Sequence, residues 1–119
     1  MRERGSDRAP GHWVRRSPGG AVVLQLLGEH DLATRDATDE LLAQLVDSND
    51  VVVVDLSETS YIDSSILHSI VRAHQRAAGR GSKLRVQLGS AAIVRKMFEV
   101  SELTSYLDVV PEREQALHS

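Results

Sequence analysis

The sequence predicts an α/β fold: a single domain with a mixed, mostly parallel β-sheet and helices, in the order ββαβαβαβα. Three observations predict it. The hydrophobic period switches repeatedly between two residues and about 3.6 residues along the chain. Val51-Val52-Val53-Val54 sets four β-branched residues in a row, which disfavours helix and suits a strand buried on both faces. Strands that alternate with helical segments imply parallel pairing through right-handed crossovers. The 119 residues suit one domain and are enough for a core without disulfide or metal staples.

Residues 1–11 (MRERGSDRAPG) are charged, small and polar, and predict a flexible N-terminal segment ahead of a folded domain over 12–119. His12 to Arg16 is a strand. Ser17-Pro18-Gly19-Gly20 makes the turn, since Pro presets φ and Gly accepts positive φ. Ala21 to Leu27 is the second strand of the hairpin, apolar on both faces and therefore internal. Gly28-Glu29-His30-Asp31 closes it. From Thr34 the apolar residues Ala37, Leu41, Leu42, Leu45 and Val46 fall at helical spacing, and acids in the first turns suit the positive helix end. Asp47 to Asp50 ends that helix. The valine strand follows and Asp55 closes it. Leu56 to Ile62 reads as a loop.

A second helix opens at Asp63-Ser64-Ser65 and runs to about Ala78, with Leu67, Ile70, Val71 and Ala78 as its apolar stripe and Gly79 and Gly81 as stop signals. Leu84, Val86 and Leu88 alternate with Lys83, Arg85 and Gln87, the pattern of a half-buried strand. Gly89-Ser90 turns into a third helix with Ser90 as N-cap and Ile93, Val94, Met97 and Phe98 as its stripe. Leu107 to Val110 is a last short strand. Pro111 sits in the first turn of a closing helix, where its missing N–H costs little.

Composition removes several functions. There is no Cys, so disulfides, thiolate metal sites and cysteine catalysis are excluded. The 14 basic and 17 acidic residues, net −3, and the 3% aromatics supply neither the basic face nor the stacking platform of a nucleic-acid binder. No apolar run reaches the ~18 residues of a membrane helix, and Met1 to Pro10 lacks the apolar core of a signal peptide. The expectation is a cytoplasmic protein that neither enters membranes nor binds nucleic acid.

Sites in open α/β sheets gather at the C-terminal ends of parallel strands. There the chain places Asp55 and, at the next helix start, Asp63, Ser64 and Ser65. Asp63 or Ser64 can cap the helix by accepting its first N–H groups. A Ser hydroxyl at this position is exposed, and a phosphate on it adds about −1.5 to −2 charges where the helix dipole tolerates them. Such a modification changes the surface and not the fold. His68 lies one turn after Ser64, yet the Gly-x-Ser-x-Gly frame and an orienting third group are absent, so no catalytic set is assigned. Glu29, Asp31 and Asp55 can share a sheet edge as in a Mg²⁺-holding acidic pocket, but their spacing specifies no metal. His12, His30, His74 and His118 are scattered, without the spacing of a zinc site.

Val53-Val54-Asp55-Leu56-Ser57, then Tyr61-Ile62-Asp63-Ser64-Ser65 and Leu67, resemble the signature of STAS domains, which include the bacterial anti-sigma factor antagonists. Gly28-Glu29-His30-Asp31-Leu32-Ala33-Thr34 upstream, and Lys83 to Val86 and Ile93 to Phe98 downstream, resemble that family's other segments. The resemblance covers about residues 12–117, so 12–119 reads as one STAS domain. It implies a binding module without enzymatic activity or cofactor. The partner it implies is an anti-sigma factor that is also a serine kinase. Binding releases a sigma factor, phosphorylation of Ser64 (Ser65 second) reverses binding, and a serine phosphatase restores it. The implied partner surface comprises Glu29, Asp31, Thr34, Asp63, Ser64, Ser65, Ile66, His68 and Arg72. A phosphate opposite an acidic partner group would meet like charge, about 4 kcal/mol per unit pair at ~4 Å and an effective dielectric of ~20. The family usually has Gly where this chain has Ile66. A bulky residue there reads as a hindrance to the kinase or as an exposed apolar contact. It motivates an alternative: an adaptor subunit, not phosphorylated, of a signalling assembly or a lipid-transport ATPase.

Overall fold

The computed structural model describes residues 11–101 and 107–110. Seven strands and three helices follow in the order β1 (His12–Arg16), β2 (Val22–Leu26), β3 (Gly28–His30), α1 (Arg35–Ser48), β4 (Val51–Leu56), β5 (Thr59–Ile62), α2 (Ser64–Arg80), β6 (Lys83–Leu88), α3 (Ala92–Val100) and β7 (Asp108–Val110). The main sheet has the order β1-β2-β4-β6-β7, and a second sheet pairs β3 with β5. β1 runs antiparallel to β2, while β2, β4, β6 and β7 are parallel. The fold class read from the sequence is the one observed.

The hairpin turn is closed by bonds from Ser17 N to Ala21 O at 2.8 Å and Gly20 N to Ser17 O at 3.0 Å. The register stacks Val22, Val52 and Leu84, then Leu24, Val54 and Val86. These even-numbered residues share one face, since side chains alternate along a strand. With Leu26, Leu56 and Leu88 they form one core with Leu41, Leu42 and Val46 of α1, Ile66, Leu67, Ile70, Ala73 and Ala77 of α2, and Val94 and Phe98 of α3. A sheet order that only advances, joined by right-handed crossovers, puts successive helices on the same face. β4 is internal, and Val52, Val53 and Val54 are all fully buried, as the valine run predicts.

Several local expectations are corrected. Gly28–His30 and Thr59–Ile62 are strands that pair with each other in parallel, where a strand end and a loop were expected. Neither is long enough to announce itself, because the pairing joins segments about thirty residues apart. α2 continues to Arg80 through Gly79, and Gly81 alone is the stop, in left-handed conformation at φ 77° with its N–H bonded back to Ala77 and Ala78. Its buried stripe includes Ile66, Ala73 and Ala77 and leaves out Ala78. Ala91, and not Ser90, precedes α3 at its N-cap, without a side-chain cap. Ile93 is 52% exposed: Val94 and Phe98, one turn apart, take the core-facing side. The expected closing helix after Pro111 and the N-terminal segment 1–10 lie outside the described residues.

Candidate functional site

The site is the start of α2, where β5 ends. Asp63 is extended, at φ −111° and ψ −178°, and caps the helix. Its carboxylate accepts from Ser65 N at 3.0 Å, from Ile66 N at 3.4 Å and from the Ser65 hydroxyl. The backbone N–H of Leu32 also faces it. Burial opposes ionisation of Asp63, but the bonds from the Ser65 hydroxyl and from the N–H groups of Ile66 and Ser65, with the Leu32 N–H facing it, outweigh burial and hold its pKa below the ordinary carboxylate value. One side chain thus caps α2 and faces the 31–34 turn.

The two serines differ in consequence. Ser65 is half-buried and its hydroxyl is spent on Asp63. Ser64 is the first residue of the helix, it is exposed, and its hydroxyl engages no partner among the described residues. The His68 ring N–H at Nδ1 donates to the Ser64 carbonyl at 2.8 Å, so His68 addresses the backbone and forms no dyad with the Ser64 hydroxyl.

Beside α2 lies the small β3–β5 sheet. Glu29 and Tyr61 are register partners and both exposed, while His30 and Ile62 are register partners and both buried. The 31–34 turn is closed by Ala33 N on Asp31 Oδ1 at 2.9 Å and Thr34 N on Asp31 O at 3.0 Å. Thr34 is engaged inward: its Oγ1 lies 3.1 Å from His30 Nδ1 and 3.3 Å from Asp31 N.

Sequence reasoning missed His30 as a hub. Its Nε2–H donates to Gly11 O and Leu27 O, both at 3.1 Å, and its ring meets His12 edge-on at 4.8 Å between centroids. His12 in turn donates from Nε2 to Thr38 Oγ1 at 2.7 Å, while the Thr38 hydroxyl donates to Thr34 O. Burial pulls the pKa of His30 below its ordinary value against the raising pull of the Leu27 and Gly11 carbonyls and Asp31. Nothing in the sequence pairs two histidines eighteen residues apart, since only the β1–β2–β3 path brings them together.

Two residues of the expected partner surface are placed differently. Ile66 is 0% exposed and belongs to the core. It shares a helix face with Ile70, Ala73 and Ala77, opposite Ser64 and His68, so it is neither an exposed contact nor a screen in front of the serine. Arg72 lies two turns along α2 and is bonded through Nη2 to both carboxylate oxygens of Asp39 on α1, at 3.0 Å each. Glu29, Asp31, Thr34, Asp63, Ser64 and Ser65 are gathered at one end of the molecule, with His68 one turn further along α2. Leu32 and Tyr61, both exposed, lie at the same end. Asp55 is fully buried, its carboxylate accepting from Ser57 N at 2.9 Å. Among the described residues no group of three or more His, Asp or Glu is arranged to hold a metal ion. No described helix is long and apolar enough to cross a membrane.

A family model described as Mlab, STAS domain, matches residues 13–111. No curated protein sequence matches the chain. Among solved structures, an anti-sigma factor antagonist from Mycobacterium paratuberculosis is similar with TM-score 0.80 at 23% identity, covering 92% of this chain and 95% of that one. The Bacillus cell fate determinant SpoIIAA in its phosphorylated form is similar with TM-score 0.66 at 17% identity, over 87% and 95% of the two chains. A sulfate transporter family protein from Wolinella succinogenes is similar with TM-score 0.67 at 14% identity, over 87% and 86%. At these identities the likeness is one of fold.

Proposed function

The chain belongs to the STAS domain family, and from that premise we propose that it is an anti-sigma factor antagonist switched by phosphorylation of Ser64. Its partner in this reading is an anti-sigma factor that is also a serine kinase. Docking sequesters that partner and frees a sigma factor. A phosphate on Ser64 ends docking, and a serine phosphatase restores it. The protein acts in the cytoplasm as a binding module, and chemistry is done on it, not by it.

The observation that carries this reading is the contrast between the two serines. Ser64 stands exposed at the first position of α2. The Ser65 hydroxyl is committed to the capping carboxylate. A kinase therefore meets one open acceptor on a helix end whose dipole tolerates the added charge. The burial of Ile66 supports the reading as well, because the bulk that departs from the family pattern points away from the acceptor.

The test is incubation of the purified chain with its kinase and ATP, followed by mapping of the phosphate by mass spectrometry. Phosphate is expected on Ser64, and Ser64→Ala is expected to abolish it. Ser64→Asp is expected to weaken binding to the kinase, and unimpaired binding by that variant sinks the switch. The adaptor reading is favoured by the description of the matching family model and by the likeness to a transporter family protein. Recovery of transporter subunits and no kinase in a pulldown from native lysate, with or without phosphatase treatment, decides for it.

A further inference from the structure

The β3–β5 sheet and the 31–34 turn beside it carry exposed apolar side chains that a phosphate switch alone does not require. Leu32 is 63% exposed and Tyr61 37%. They lie at the same end of the molecule: Glu29 and His30 are the register partners of Tyr61 and Ile62, and Leu32 follows His30 by two residues. Residues 28–34 and 57–64 together hold Glu29, Asp31, Glu58 and Asp63 and no Lys or Arg. This end of the molecule therefore carries four carboxylates, whereas the net charge of the whole chain is only −3. Glu29 and Glu58 are exposed and Asp31 is half-buried. Among the described residues, the flanking arginines bond to other acids, Arg35 to Asp36 at 3.2 Å and Arg72 to Asp39 at 3.0 Å.

We propose that Leu32 and Tyr61 are the apolar anchors of a docking face whose occupant is a protein surface with an apolar socket rimmed by Lys and Arg. Charge complementarity selects that occupant, because an acidic rim against these carboxylates would place like charges together. Tyr is a residue type enriched among interface hot spots. The proposal rests on the antagonist reading for the identity of the partner, the anti-sigma factor kinase, but not for its chemistry. It also changes what ends docking at Ser64. Against a cationic rim the added negative charge is attracted, so a phosphate, like Ser64→Asp, obstructs by the bulk it brings into the interface. The neutral isostere Ser64→Asn is expected to weaken docking at least as much as Ser64→Asp.

Two measurements test it. The isotope-labelled full chain is titrated by NMR with a short amphipathic peptide of Leu and Arg, and with its Leu and Glu counterpart. Shifts are expected at residues 29–34 and 58–64 with the Arg peptide only. Shifts spread over the other acidic surfaces, or reproduced by the Glu peptide, overturn the cationic partner. The purified kinase is then titrated calorimetrically at low and high salt. Leu32→Ser and Tyr61→Ser are each expected to weaken binding about ten-fold or more, salt to weaken it further, and Ile93→Ser on α3 to leave it unchanged. Kinase binding untouched by both anchor variants overturns the anchors. Docking of the Arg peptide on this face with no binding by the kinase leaves the docking face standing and sinks the antagonist reading instead.

Discussion

At the scale of single residues, the start of α2 divides side chains by task within one helical turn. Ser64 is open, Ser65 is bonded to the cap, and Ile66 is sealed in the core. Ile66→Ala is expected to destabilise the fold by about 2–5 kcal/mol, the range for large-to-small changes in packed cores, whereas Ser64→Ala is expected to stay within about 0.5 kcal/mol. Denaturant unfolding of the two variants separates them. Restoring the family glycine at position 66 adds about 1 kcal/mol of helix propensity to the core loss, so Ile66→Gly reports on folding before it reports on any kinase. Gly89 is a second constrained position. A Cβ there would lie 2.6 Å from Ser57 Cα and 2.7 Å from Ser57 O. Backbone at that distance has no flexible end to swing aside, so Gly89→Ala is expected to lower the unfolding midpoint markedly, with the loops after β4 and β6 forced apart.

At the scale of elements, two contacts set the geometry of the site. α1 and α2 are tied along their outer edges by Arg72 on Asp39, Arg76 on Asp47 and Arg80 on the carbonyls of Val46 and Asp47. The Arg76 hydrogen bond holds the Asp47 carboxyl below its ordinary pKa. These bonds are exposed, and their role is register more than stability. β3 is held from below by His30, which bonds to the carbonyls of Gly11 and Leu27 and approaches Thr34. Its pKa is depressed in the fold, mainly by burial. The unfolded chain therefore binds a proton below pH ~6.5 that the folded chain refuses until lower pH. Stability is expected to be level above that pH and to fall as pH drops from it through the folded pKa. Unfolding free energies at pH 7.5 and 5.5, compared with those of His30→Gln, check this. An unchanged pH dependence in the variant would show that His30 is not the group responsible. Asp63 and Asp47 also have depressed pKa values, but their contribution is lost in a separate and more acidic window, below the ordinary carboxylate value.

At the scale of the whole molecule, the parallel sheet forms a platform and the β3–β5 sheet, the 31–34 turn and the start of α2 form its working end. A phosphate there touches no core residue, so Ser64→Asp is expected to keep the circular dichroism spectrum and to change stability by no more than about 1 kcal/mol. A large loss of cooperativity in thermal unfolding would mean that charge at Ser64 acts through the fold and not through the surface. By itself the sequence determined the class of fold, the order of the main-sheet strands along the chain, the capped helix start and the position of Ser64. Each of those follows from local chemistry: β-branched runs, hydrophobic period, turn formers and a capping Asp. Only the tertiary structure decided that β3 pairs with β5, that His12 meets His30, that Ile66 faces inward while Leu32 and Tyr61 face outward, and that the carboxylates of residues 28–34 and 57–64 share one end of the molecule. Those facts are pairings between segments distant in the chain, and an amphipathic period names a buried face only after the neighbours that bury it are in place.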